Sequence, residues 1–103
     1  MAKVIIEVKS LQNNDLIGRL VVSIAGRDTR EPYIVIDNVG IDYLLLANGC
    51  TKTIEKPKKK KLKHLNLTNV VSEEIKKAIF QRNKNTDIMI RKFLKLEGIV
   101  KEG

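Results

Sequence analysis

Apolar and polar positions alternate with a period close to two from Leu16 onward. Leu20, Val22 and Ile24 fall on one side of an extended chain, and Arg19, Val21 and Ser23 on the other. That is the pattern of a strand with one buried face. Ala25-Gly26 ends it, and a polar loop runs from Arg27 to Pro32. Tyr33 to Asp37 reads as a second strand, Asn38 to Asp42 as a turn around Gly40, and Tyr43 to Ala47 as a third strand. Asn48-Gly49 is the preferred dipeptide of a two-residue hairpin, because both positions tolerate positive φ. Cys50 to Glu55 then reads as the returning fourth strand, ended by Pro57, which has no N–H to give to a ladder. Leu62 to Leu67 is expected as a short fifth strand. Upstream, the β-branched run Val4 to Val8 suits an edge strand or a first helical turn, and Asn13 to Asp15 mark a turn. Short strands at this spacing, with no helix between them, predict a small closed barrel of four or five antiparallel strands over residues 16–68 rather than a parallel α/β sheet.

The last third changes period. Ser72 is placed to cap a helix, and Glu73 and Glu74 complement the positive end of its dipole. Ile75, Ala78 and Ile79 share one face of that helix, which Asn83 to Asn85 break. A second helix, capped by Asn85 or Thr86 with Asp87 in its first turn, carries the apolar stripe Met89, Ile90, Phe93 and Leu94. Arg91, Lys92 and Lys95 lie on its other side, and Gly98 is its expected end. The stripe is expected to pack on the barrel. The chain therefore divides into an N-terminal extension (1–15), a barrel with a basic segment (16–68) and a helical tail (69–103), a mainly β fold with an α tail.

Charge adds the first functional constraint. The chain has 103 residues, one domain's worth, with 20 Lys and Arg against 12 Asp and Glu and a net charge of +8. A balance this basic favours acidic partners, nucleic acid first. The excess is local: residues 51–65 contain Lys52, Lys56, Lys58, Lys59, Lys60, Lys61 and Lys63 against the single acid Glu55. A positive stripe from which acids are excluded is what phosphate neutralisation requires.

Other chemistries find little support. Cys50 is the only cysteine, so a disulfide-built secreted fold is excluded. The N-terminal apolar run is interrupted at Glu7 and is too short for a signal-peptide core, and no apolar run is long enough to span a bilayer. The expected compartment is the cytoplasm, with no membrane partner; the basic tail helices lack the Trp that anchors interfacial helices. One His and one Cys make a poor case for an enzyme, since Cys50 suits a small buried hydrophobe and His64 sits among lysines. Asp28, Asp37 and Asp42 do not have metal-ligand spacing, and there is no glycine-rich phosphate loop. No cofactor is expected.

The segment Gly18-Arg-Leu-Val-Val-Ser-Ile-Ala-Gly26-Arg27-Asp28 resembles a KOW motif, a strand running into a loop at a fixed glycine. The later run Leu-Leu-Leu-Ala-Asn-Gly-Cys-Thr-Lys and the ending Glu55-Lys-Pro-Lys-Lys-Lys-Lys-Leu-Lys-His64-Leu65 are similar to the fourteen-e family of large-subunit ribosomal proteins and to short bacterial KOW-domain proteins. The resemblance covers roughly half the chain, Gly18 to Leu65. KOW motifs often carry a second glycine in the loop; Thr29 to Pro32 supplies none. The resemblance implies an SH3-like barrel that binds structured RNA, with ribosomal RNA as the first partner and ribosomal proteins as neighbours. It implies that Gly26 lets the loop turn close to phosphate and that Arg27 contacts phosphate or sugar. Lys58 to Lys61, Lys63 and His64 would lie along the RNA, with Arg19, Arg30, Lys52 and Lys56 completing the basic surface.

Tyr33, Tyr43, Phe80 and Phe93 all fall on expected strands or helices, where core packing accounts for them. Stacking on single-stranded bases needs exposed rings, so the sequence points to readout of RNA backbone and shape. The alternative function is a KOW-type protein-interaction module of the transcription or translation machinery, binding an acidic protein through the same stripe.

Overall fold

The alternating segments form one five-stranded antiparallel sheet in a computed structural model that describes residues 13–97. Strands β1 (Arg19–Ser23), β2 (Pro32–Val39), β3 (Tyr43–Ala47), β4 (Lys58–Lys61) and β5 (Leu65–Val71) lie in the spatial order β4-β3-β2-β1-β5. A short helix α1 (Asn13–Leu16) precedes the sheet, and α2 (Glu73–Phe80) and α3 (Thr86–Leu96) follow it. The two edge strands are consecutive in the chain, joined only by a 3₁₀ turn at Leu62–His64. In a flat five-stranded sheet the edges would be about 19 Å apart. The few residues of this turn reach no more than about 14 Å. The sheet must curl, and register irregularities between Arg19 and Val21 and between Val35 and Asp37 supply bends. No ladder joins β4 to β5, so the sheet is curled but open rather than the closed barrel expected.

Both faces of the sheet are buried. On the inside of the curl, Val21, Tyr33, Val35, Leu44, Leu46 and Leu65 form one cluster with Leu16 of α1. On the outside, Leu20, Ile34, Ile36 and Ala47 pack against Ile75, Ile90 and Leu94 of the two helices. Each fully buried aliphatic side chain here contributes roughly 1.5–3 kcal/mol. Ser72 caps α2 by accepting a hydrogen bond from the Ile75 N–H at 3.1 Å. Asn85 is the N-cap of α3 but makes no side-chain cap bond. The expected stop at Gly98, and the expected strand or helical turn at residues 4–8, lie outside the described residues.

Several expectations need correction. Burial does not alternate along β1: Leu20 and Val21 are both buried, because the helices cover the side of Leu20 while the curled sheet encloses the side of Val21, which the period of two left to solvent, and Ile24 is 54% exposed beyond the strand's end. Leu16 closes a helical turn rather than opening a strand. Asn48-Gly49 does not make a two-residue hairpin. The Asn48 side-chain oxygen accepts from the backbone N–H groups of Cys50 and Lys52, both at 2.9 Å, which folds the chain into a compact loop. Residues 50–55 are therefore not a strand, and Cys50 is exposed rather than buried. The strand that returns along β3 is Lys58–Lys61, so Pro57 precedes it instead of ending one. Leu62 to His64 form the 3₁₀ turn, and the fifth strand extends to Val71.

The loop after β3 is held on α3. The Ile54 N–H donates to Asp87 Oδ1 at 3.0 Å, and Arg91 Nη1 donates to the Gly49 carbonyl at 3.3 Å. Gly49 (φ +79) lies so close to the helix that a Cβ there would run into the Asp87 carbonyl oxygen, with the Arg91 nitrogen 2.9 Å away. Gly40 also has positive φ (+63) but faces open space. In urea titrations Gly40→Ala should cost about 1 kcal/mol, the conformational penalty alone. Gly49→Ala should cost more than about 2 kcal/mol, since backbone atoms must move as well. Equal losses at the two positions would mean that the loop does not rest on α3.

Candidate nucleic-acid interface

Four lysines of the basic segment form the edge strand β4. Beside it lies the loop that follows β1. Lys60 Nζ donates to the Ala25 carbonyl at 3.0 Å and to Asp28 Oδ1 at 2.9 Å, and Lys58 Nζ lies 3.5 Å from Asp28 Oδ2. A Cβ at Gly26 would stand 3.4 Å from Lys60 Nζ. The Gly26 loop and the lysine strand are thus neighbours.

The loop is built by its own backbone. Ser23 N–H donates to the Glu31 carbonyl at 3.0 Å and Arg30 N–H to the Ser23 carbonyl at 2.7 Å. The Thr29 N–H and hydroxyl both donate to the Gly26 carbonyl. Gly26 (φ +91) and Arg30 (φ +80) both take the left-handed region. Arg30 adopts this glycine-like conformation with a side chain present, at a steric cost of roughly 1 kcal/mol. Arg27 and Arg30 are exposed.

Asp28 is the electrostatic centre of this corner. Besides the two lysines it accepts from Tyr33 Oη at 2.8 Å and from Ser23 Oγ at 2.9 Å. Burial alone would raise its pKa, but hydrogen bonds from Lys60, Tyr33 and Ser23 and the nearby Lys58 charge together hold the carboxyl well below its usual range. Burial, with the hydrogen bond to Asp28 and the charges of Asp28 and Glu31, pushes the Tyr33 phenol well above its usual range, so it stays a donor. The Lys60 side chain is only 10% exposed.

Other basic residues are spread more widely. Lys63 and His64 lie on the 3₁₀ turn, Lys63 exposed and His64 half-buried, with the His64 carbonyl accepting from Ile24 N–H at 2.9 Å. Lys52 and Lys56 belong to the loop held on α3, away from the Asp28 corner in sequence and in contacts. Arg19 sits at the opposite end of β1, where Nη1 donates to the Thr68 carbonyl at 2.7 Å and Nη2 to the Asp15 carbonyl at 3.0 Å. Its guanidinium ties β5 to α1, and its buried Nε has no hydrogen-bond partner among the described residues.

Sequence reasoning missed two residues here. Asp28 looked like one of several loop acids, because its partners are five residues away on either side and on β4. Tyr43 was assigned to the core but is only half-buried, and the ammonium groups of Lys59 and Lys61 lie 4.8 and 5.8 Å from its ring centre. Phe80 also departs from core packing and is 55% exposed.

Among the described residues no group of His, Cys, Asp and Glu is placed to hold a metal ion, and no helix is long and apolar enough to cross a membrane. No family model matches the chain, and no curated protein matches it.

The depressed pKa of Asp28 fixes a sign. A carboxyl whose folded pKa lies below its unfolded value of about 3.9 contributes stability fully above that pH and loses it as pH falls further. Asp28→Asn should therefore destabilise the protein by about 2–4 kcal/mol at neutral pH, leaving Lys60 buried without a counter-charge. The gap between variant and parent should narrow as pH falls below about 4. A gap that is the same at pH 7 and at the acid end would refute the ionised role of Asp28.

Proposed function

We propose that this chain is a cytoplasmic RNA-binding protein built on an SH3-like barrel of the KOW type, acting on structured RNA and most readily on ribosomal RNA. The observation that carries this reading is the placement of the charge. Four consecutive lysines lie along a sheet edge, Lys59 and Lys61 on its outer face, beside a loop that exposes Arg27 and Arg30. Such an edge matches a run of phosphates in sign. The strand order, the 3₁₀ turn between the last two strands and the left-handed glycine after β1 support the SH3-like, KOW-type assignment. The reading gives the chain no catalytic role and no cofactor. Ribosomal proteins are the expected neighbours if the RNA is ribosomal.

An acidic, extended protein segment is the competing partner, because β4 leaves one hydrogen-bonding edge open among the described residues. Salt titration of binding to a labelled RNA hairpin separates the two. With three to five phosphates contacted, log K should fall against log salt with a slope of about −3 to −5. Arg27→Ala should weaken binding several-fold on unrelated RNA sequences alike, with an unchanged melting curve, since phosphate contacts carry no sequence information. Affinity for RNA that ignores salt, or tight binding to an acidic peptide with none to RNA, would overturn the RNA reading.

A further inference from the structure

The strand period of two divides the lysines of β4 into two pairs with different surroundings. Lys58 and Lys60 stand opposite Leu46 and Leu44, on the inside of the curl, and reach Asp28. Lys59 and Lys61 point to the outer face, where among the described residues no acid is within ion-pair distance and both ammonium groups rest over the Tyr43 ring. The ladder places Val39, Tyr43 and Lys61 in one cross-strand row and Asp37, Leu45 and Lys59 in the next. Val39 is 39% exposed beside the ring, so this corner of the outer face lies beyond the cover of the helices. In the row of Lys59, the Asp37 carboxylate is two strands away, about 10 Å, and accepts from the Asn38 N–H at 2.8 Å.

We propose that Tyr43, Lys59 and Lys61, with Val39 beside them, form a site for one unpaired nucleotide of RNA. The base stacks on the tyrosine ring, and the flanking phosphates take the two ammonium groups. This rests on the RNA-binding reading above and adds a contact to a base, which backbone readout alone does not include. A lysine resting on an exposed ring is held weakly. Phosphate competes well for the ammonium, and its movement uncovers the ring for a base. The bases of an A-form duplex are stacked on one another and cannot reach a ring set in a sheet, so the site selects loops, bulges or single strands.

Binding of a labelled oligouridine strand and of an RNA duplex of equal charge tests the site. Tyr43→Leu should weaken binding of the single strand about tenfold and of the duplex less than about twofold. Tyr43→Phe, which keeps the ring, should bind both like the parent. Lys59→Ser with Lys61→Ser should weaken both probes, because both contain phosphate. Quenching of tyrosine emission by the oligouridine should disappear in Tyr43→Leu, since the other tyrosine, Tyr33, is buried. If the parent binds RNA and Tyr43→Leu is silent on both probes, or loses equally on both, the nucleotide site is wrong and the RNA reading stands. If the parent binds neither probe, the RNA reading itself fails.

Discussion

Strand β2 is buried on both of its faces, and the rest of the molecule follows from that constraint. Tyr33 and Val35 face the inside of the curled sheet, and Ile34 and Ile36 face the helices. A chain of this size has too little apolar material for two independent cores, so the same central strand serves both. Covering its inner side demands that the sheet bend over itself, which brings the lysines of β4 to the loop after β1. Covering its outer side demands the amphipathic helices, whose Ile75, Ile90 and Leu94 complete the second cluster. The helical tail is therefore part of the domain's interior, and the cationic edge is positioned by packing that lies on its far side.

The parts of this arrangement that depend on local chemistry were legible in the sequence. The turn at Gly40, the strand Tyr43–Ala47, the Ser72 cap and the break between α2 and α3 rest on residues that act within a few positions of themselves. What was not legible depends on distant partners. Asn-Gly favours a hairpin only if the chain can continue as a strand. Here Asn48 bonds to its own loop and Gly49 fits against α3, two contacts whose partners are respectively local and some forty residues away. The period of two in β1 suggested one buried face where both are buried, because alternation presumes that one side of a sheet meets water. The same presumption hid the placement of Tyr43, whose ring falls just outside the area the helices cover.

The candidate interface shows how one carboxylate can organise a basic surface. By drawing in Lys58 and Lys60, Asp28 fixes the edge strand against the Gly26 loop and lowers the repulsion along the row. The remaining pair, Lys59 and Lys61, then differs from it in partners and in the face it occupies. A run of four identical letters is in this way two kinds of lysine, a distinction that no count of charge along the chain contains.

The edge of β4, open among the described residues, has a consequence for the protein among its own copies. An unpaired strand edge is a template for intermolecular sheet growth, and here charge is what guards it. Two such edges brought together would set lysine rows against each other, so that separate molecules repel where they would otherwise zip. That protection is chemical rather than geometric. Acylation of Lys59 and Lys61, the pair that does not reach Asp28, would leave the hydrogen-bonding groups in place while lowering the barrier, so colloidal stability should depend on modification of this outer pair far more than folding stability does.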